Sequence, residues 1–158
     1  IAAATGKSEA ACRQLVSRAH KRLQETGPRF DAAPSEVADL LQRFMAAAAA
    51  QDHAAVLDLL SPDATAYTDG GRKARAALRP LHGPADIVQV LMGVMMKSMR
   101  DGEDWTMEPA LANGAPALIR RLKGKVDLVL TLAPDSSGRI AWLYAMRNPD
   151  KLPNPSRD

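Results

Sequence analysis

The chain has 158 residues, of which 46% are hydrophobic and 25% charged, and its formal net charge is +3. This length allows one domain of ordinary size plus an appendage, and the apolar fraction is enough for a core. The single cysteine excludes an internal disulfide, and no apolar run is long enough to span a membrane. These features predict a cytoplasmic protein.

Charge is distributed unevenly along the chain. Residues 1–30 carry six cations and two acids, for a net charge of +4, whereas residues 31–158 carry fifteen cations and sixteen acids, for −1. A basic segment attached to a nearly neutral domain is typical of an anion-binding arm beside a separate module. The alternative is a solvated helix face without a ligand. Because the chain opens with Ile1-Ala2-Ala3-Ala4 and has no initiator methionine, we expect it to be part of a longer protein.

The first long helix is predicted to follow the turn Thr5-Gly6-Lys7-Ser8, with Ser8 as N-cap, and to end near Gln24. A glycine turn followed by a helix with outward arginine and glutamine is typical of a helix-turn-helix recognition unit. An amphipathic helix that only packs on its neighbour has the same pattern. The residues of types that read base edges or bind phosphates are Arg13, Gln14, Ser17, Arg18, Lys21 and Arg22.

Residues 5–19 resemble the turn and recognition helix of region 4 in extracytoplasmic-function (ECF) sigma factors. In that family this helix reads the −35 promoter element. The resemblance therefore implies promoter DNA as a partner of the intact parent protein, with residues 1–25 as the C-terminal part of region 4. The first helix of the motif is almost wholly missing from this chain.

The rest of the chain predicts alternating helices and strands. Residues 26–34 read as a linker with two prolines, and a helix capped by Ser35 and a short helix capped by Asp52 follow. A third helix starts at Gly83-Pro84. The predicted strands are Ala64–Asp69, Arg72–Leu81, Trp105–Ala112, Ala115–Leu122, Lys125–Ala133 and Ile140–Arg147. The last strand is an apolar and aromatic run, which favours burial on both faces.

Three helices wrapped around a curved, mostly antiparallel sheet form an α+β arrangement. A sheet curled around a helix leaves a conical cavity in which folds of this kind host ligands. The predicted lining residues of that cavity are Tyr67, Trp105, Trp142 and Met95.

Two short motifs carry a second, more specific resemblance. Residues 148–152 are similar to the asparagine-proline-aspartate-lysine-leucine signature that closes the SnoaL-like extension of one ECF sigma subgroup. Residues 69–73 resemble that subgroup's aspartate-triple-glycine-lysine motif, with Arg72 at the third glycine position. The resemblance implies the SnoaL-like, nuclear-transport-factor-2-like conical sheet for residues 35–152, preceded by the partial helix-turn-helix and followed by a tail at residues 153–158.

This resemblance implies a regulatory domain that contacts the sigma core and RNA polymerase and tunes promoter recognition and transcription initiation. The candidates for the contact with the protein's own sigma regions are Asp69, Gly70, Gly71, Lys73, Asn148, Pro149, Asp150, Lys151 and Leu152. The alternative is that Asp69 and Asn148 only satisfy backbone groups of their turns. We also expect the isolated chain to form a homodimer that covers the amphipathic helix at residues 8–24.

Two other functions stay open. The cavity of this fold is a site for a small effector, or it is the active site of a cyclase or isomerase. In an enzyme, a carboxylate in an apolar cone has a raised pKa and acts as a base. The candidates are Asp69, His82, Tyr67, Arg120 and Asp127, but no acid–base pair stands at diagnostic spacing, so we expect no enzyme. No metal or cofactor is predicted, because the three histidines lack ligand spacing and no glycine-rich phosphate loop follows a strand.

Overall fold

The structure, a computed structural model, describes residues 2–25 and 32–152. The chain forms two compact units, residues 1–31 and 32–158. The first unit contains a short helix α1, Ala2–Thr5, and a long helix α2, Glu9–Glu25. Between them Gly6 has a φ of 63°, and the Ser8 hydroxyl accepts a hydrogen bond from the Ala11 N–H at 3.3 Å. The predicted N-cap of α2 is therefore confirmed.

Within its described residues, 32–152, the second unit has three helices and one sheet. The helices are α3 (Pro34–Ala49), α4 (His53–Leu59) and α5 (Gly83–Arg100), and the strands are β1 (Leu60–Asp69), β2 (Leu81–His82), β3 (Trp105–Ala112), β4 (Ala115–Leu122), β5 (Lys125–Pro134) and β6 (Ile140–Met146). The strand order is β2-β1-β6-β5-β4-β3. Only β1 and β6 pair in parallel. The predicted α+β class is confirmed, and no helix of the described residues has the length and apolarity that crossing a membrane requires.

Local capping chemistry fixes where the helices of this unit begin. The Asp52 carboxylate accepts a hydrogen bond from the Ala55 N–H at 3.0 Å, which confirms it as the cap of α4. Ser35 was predicted to cap α3, and this is wrong. Pro34 already occupies the first turn because its fixed φ suits that position, and the Glu36 carboxylate accepts the Ala33 N–H at 3.0 Å.

The three strands from β3 to β5 form a meander with two tight hairpins. Asn113 and Gly114 have φ values of 52° and 80°, and Lys123 and Gly124 have values of 50° and 76°. Two successive residues in the left-handed backbone conformation form a turn whose twist matches that of the flanking strands. The predicted bounds of β3 and β4 are confirmed.

The strand predicted over Arg72–Leu81 is wrong. The N–H groups of Lys73 and Ala74 both donate to the Gly70 carbonyl, at 2.9 and 2.8 Å, so the chain turns here instead of extending along β1. Only Leu81–His82 pairs with β1, as the two-residue strand β2. The residues between form a loop that lies at the end of the sheet.

One face of the sheet carries the core. Ala66 and Leu143 are fully buried at adjacent positions of β1 and β6, and they belong to one cluster with side chains of the three helices, including Leu41, Val56 and Ile87. On the opposite face, Tyr144 is 42% exposed. The prediction that the last strand is buried on both faces is therefore wrong, because only one of its faces joins this cluster.

Leu143→Ala should lower the free energy of unfolding of the second unit by about 2–5 kcal/mol, because it removes a fully buried side chain from a central strand and leaves a cavity. The matched control is Leu78→Ala, whose side chain is fully exposed in the loop and whose loss should change stability by about 0.5 kcal/mol or less. Urea unfolding followed by circular dichroism measures both. Equal losses in the two variants would contradict this assignment of the core.

Candidate functional site

The two motifs that carry the resemblance meet at one end of the sheet. Residues 69–73 leave β1 and residues 148–152 follow β6, and these strands are parallel neighbours in which Asp69 pairs with Met146. Parallel neighbours end at the same edge of a sheet. The Arg147 N–H donates to the Asp69 carbonyl at 2.7 Å, which continues the ladder to the start of the second motif. We call these two segments together the motif surface.

Two ion pairs cross between the motifs. The Lys151 ammonium lies 2.8 Å from the Asp69 carboxylate, and the Lys73 ammonium lies 2.6 Å from the Asp150 carboxylate. Each motif thus contributes one acid and one base. Between 34% and 61% of these four side chains is exposed, so water screens both pairs. Exposed pairs of this kind contribute about 0–1 kcal/mol to stability.

A buried amide beneath the ion pairs sets the shape of the motif surface. The Asn148 side chain accepts a hydrogen bond from the Asp150 N–H at 3.1 Å, and its main-chain carbonyl accepts from the N–H groups of Lys151 and Leu152 at 2.9 and 3.1 Å. Asn148 is only 8% exposed. The turn that Asn148-Pro149 starts is therefore held by backbone contacts, and the charged groups of Asp150 and Lys151 project from it.

Both glycines of the first motif have a steric role. Gly71 has a φ of 58°, and a Cβ there would overlap the Asn148 side-chain amide. A Cβ on Gly70 would overlap the carbonyl of Ala74, whose N–H donates to the Gly70 carbonyl and closes the turn after β1. Gly70 thus allows this tight turn, and Gly71 allows the first motif to lie directly against the second.

Arg72 keeps the backbone conformation that a third glycine would adopt freely. Its φ is 61°, in the left-handed region, which costs a residue with a Cβ about 1 kcal/mol. Arg72 and Arg75 are exposed, and neither side chain forms an ion pair or hydrogen bond with another residue of the described ranges. The motif surface is thus bordered by two unpaired positive charges.

The contacts of Asp69 favour its charged form. Its pKa is lowered from 3.8, first by the hydrogen bond from Lys151 and then by the Gly71 N–H, which lies 2.8 Å from the carboxylate. A catalytic base in an apolar cone needs a raised pKa, so for Asp69 the structure contradicts that expectation.

Of the four predicted pocket residues, the structure brings together Tyr67 and Trp142 but not Trp105 and Met95. Tyr67 stacks on Trp142 and on Tyr144, with ring centroids 5.9 and 5.8 Å apart, on the face of the sheet opposite the core. Trp105 begins β3, at the far edge of the sheet from β1, and Met95 lies on α5, partly buried against the core. The stacked aromatic side chains therefore form an exposed row.

Among the other enzyme candidates, His82 lies in β2, with its Nδ1 3.4 Å from the Thr65 hydroxyl. Arg120 and Asp127 form a separate cluster with Arg147. Arg120 donates to both oxygens of Asp127, at 2.8 and 2.5 Å, and Arg147 donates to one of them at 3.0 Å. Strict alternation along β4 from the buried Leu118 predicts that Arg120 lies on the core face of the sheet. The pairing of this cluster with Arg147 was not predictable from the sequence, because it depends on the order of the strands in the sheet.

In the described part of the chain, no group of three or more His, Cys, Asp or Glu residues is placed to hold a metal ion.

On α2, the DNA-contacting candidates Arg13, Gln14, Ser17 and Arg18 are exposed. Their spacing puts them on one side of the helix, and the Arg18 Nε–H donates to the Gln14 carbonyl at 3.4 Å. The side chains of Lys21 and Arg22 lie outside the described part of the structure, as do residues 26–31 of the predicted linker and the predicted tail at residues 153–158. The predicted homodimer would cover the apolar side of this helix, where the side chains of Leu15 and Val16 are 44% and 49% exposed. Nothing observed tests this, so the homodimer stays a prediction.

Comparison with known proteins identifies a relative that covers both units. The chain is 32% identical over 159 residues to the ECF RNA polymerase sigma factor SigJ of Mycobacterium tuberculosis, an alignment that includes 96% of this chain and 51% of SigJ. This chain is homologous to ECF sigma factors. It spans about half the length of this relative. No protein-family model matches it.

Solved structures agree with this homology. The crystal structure of M. tuberculosis SigJ superposes with a TM-score of 0.62 at 29% identity, covering 95% of this chain and 52% of SigJ. A SnoaL-like protein of unknown function from Burkholderia thailandensis superposes with a TM-score of 0.54 at 12% identity, covering 72% of this chain and 96% of that protein. The SnoaL-like fold predicted for the larger unit is confirmed.

Gly71→Ala should destabilise the larger unit more than Gly102→Ala does. Both glycines have a positive φ, of 58° and 63°, so both variants bear the cost of a left-handed alanine. Only at position 71 does the new methyl group displace the buried Asn148 amide, which should add about 1–3 kcal/mol. Thermal unfolding of the two variants measures the difference, and equal stabilities would show that the contact between the motifs is not tight.

Lys151→Met should raise the pKa of Asp69 towards 3.8, because it removes the largest cause of the lowering. The folded-state pKa lies below the unfolded one, so the stabilisation by this ion pair is present above pH 3.8 and is lost as the pH falls through the lowered value. The carboxyl-carbon NMR shift of Asp69, titrated with pH, reports the change. Lys151→Arg is the matched control and should keep the pKa low, whereas an unaltered pKa in Lys151→Met would refute the pairing.

Proposed function

We propose that this chain is the C-terminal part of an ECF sigma factor, and that its SnoaL-like domain regulates promoter recognition and transcription initiation by contacting the sigma core or RNA polymerase. Homology to a sigma factor across 96% of the chain supports this proposal. The partners are the RNA polymerase core, the protein's own sigma regions and, through the intact parent, the −35 promoter element. Because sigma factors act on RNA polymerase, the site of action is the cytoplasm.

The motif surface is the observation that carries the regulatory part of the proposal. Its shape is fixed by the Asn148 amide and by the two glycines, while the four charged side chains of its two ion pairs remain accessible to solvent. Ion pairs this exposed add little to stability. The acids and lysines of these pairs are instead held at fixed positions. Such an arrangement suits recognition of a complementary charged surface, because electrostatic complementarity gives an interface its specificity.

The DNA-binding part of the proposal depends on α2. Exposed Arg13, Gln14, Ser17 and Arg18 are residues of the kinds that read base edges and bind phosphates, and the net charge of +4 over residues 1–30 favours an anionic partner. Within residues 1–25 this helix is the recognition helix of region 4.

Catalysis is the less supported alternative. The pKa of Asp69 is lowered by its partners, and Asp127 accepts hydrogen bonds from two arginines. Both oxygens of each carboxylate already accept hydrogen bonds. Neither carboxylate is therefore arranged for proton abstraction, and we propose that the domain is not an enzyme.

The test is promoter-driven transcription by the full-length parent protein carrying a charge swap, Lys73→Asp with Asp150→Lys. The swap keeps an ion pair between the motifs but exchanges the positions of the two charges. If the surface contacts the sigma core or RNA polymerase, transcription should change at least several-fold although the protein remains folded. The single variants Asp150→Ala and Lys151→Ala should alter output in the same assay.

The matched control is the swap Arg121→Glu with Glu108→Arg. This pair also joins two strands through an exposed contact, at 2.8 Å with side chains 40% and 49% exposed, but it lies at the β3 edge of the sheet. Its transcription should equal that of the wild type. Wild-type output from the Lys73–Asp150 swap and from both single variants would mean that the motif charges only satisfy each other.

A further inference from the structure

A second polar cluster, made of two arginines and one aspartate, lies on the core face of the sheet. It has an excess of one positive charge. Arg120, on β4, is 7% exposed at its side chain, and Arg147, directly after β6, is 20% exposed. Both bind the carboxylate of Asp127, on β5, which is 18% exposed. Two guanidinium groups therefore share one carboxylate in a place that is poorly hydrated. Buried charges normally have partners, so this arrangement can accept another anion.

The hydrogen bonds of Arg147 are incomplete as well. One Nη donates to Asp127 and the other to the Arg75 carbonyl, both at 3.0 Å. Its Nε–H is buried and has no hydrogen-bond partner among the described residues. Buried donors without a partner are rare in folded proteins, and the commonest explanations are a ligand or a bound water.

Partly exposed apolar side chains flank the cluster. Arg120 pairs in register with Met107 on β3 and with Leu128 on β5, and both of these side chains are partly buried and pack against the core. Directly opposed residues of antiparallel strands point to the same face of the sheet. Arg120 therefore lies between two apolar residues on the same face of the sheet.

We propose that Arg120 and Arg147 bind the carboxylate of a small amphipathic acid whose apolar part lies on Met107 and Leu128. A guanidinium presents parallel donors that match a carboxylate, and one carboxylate neutralises the single excess charge of the cluster. A phosphate group carries close to two negative charges and would leave the cluster net negative. The site lies beyond the proposed contact with the transcription machinery, which requires no ligand.

The Nε–H groups of the arginines report binding directly. The chain is labelled with ¹⁵N, and the Nε–H signals are followed by NMR during separate titrations with octanoate, 1-octanol and inorganic phosphate. Octanoate should shift the signals of Arg120 and Arg147 saturably, and the other two compounds should shift them much less. Arg121, the next residue on β4, pairs with Glu108 and serves as the internal control. Its signal should not move.

Variants of the cluster and of its neighbour separate recognition from general surface effects. Arg147→Lys keeps the charge but loses the Nε–H and the planar fork, so octanoate binding should weaken at least about tenfold. Arg121→Lys should bind as the wild type does. Asp127→Asn removes the competing carboxylate, so octanoate should bind more tightly. Backbone ¹H–¹⁵N spectra establish that each variant is folded, and the wild-type titration stands even if one is not.

Three outcomes would overturn the proposal. Equal shifts with octanol would show an apolar site without anion recognition, and equal or larger shifts with phosphate would show a general anion site. Unmoved Arg120 and Arg147 signals with all three compounds would mean that the buried Nε–H of Arg147 has only water as its partner.

Discussion

The parallel pairing of β1 with β6 is the constraint on which the site depends. It brings Lys73 and Asp150, which are 77 positions apart in the sequence, to the end of the sheet where both strands finish. Every other neighbouring pair in the sheet is antiparallel, so this is the one place where two strands leave the sheet in the same direction next to each other. The turn after each strand then meets the other turn, and the Asn148 side chain packs against the backbone of Gly71, where a Cβ would not fit.

Local signals in the sequence were enough for much of the fold. The Asn113-Gly114 hairpin, the Asp52 cap and the Pro84 helix start are short-range features whose chemistry depends on a few adjacent residues. The strand predicted over Arg72–Leu81 failed for both a local and a distant reason. The Gly70 carbonyl closes a turn with Lys73 and Ala74, and Arg147, 72 positions further along the chain, donates to the Arg75 carbonyl.

The candidate site divides in the same way. The motifs themselves were recognisable, but their pairing was not, because no pattern within either motif indicates that Lys151 faces Asp69 or that Gly71 packs on Asn148. The burial of the last strand was misjudged for a related reason. Trp142 and Tyr144 make β6 as apolar as a strand that is buried on both faces, and only the position of the helices determines which of its faces is covered.

The two polar groups at this end of the domain differ in a way that suggests separate roles. In the motif surface, each acid is paired with a lysine and all four of these side chains are exposed, so their charges can re-pair with those of a binding partner at little energetic cost. In the arginine cluster the charges do not match and are mostly buried, so occupancy by an anion would matter much more. Arg147 belongs to the cluster and immediately precedes Asn148, and it also binds the carbonyl of Arg75, two residues after Lys73. A change at the buried cluster therefore has a direct covalent and hydrogen-bonded route to both halves of the motif surface.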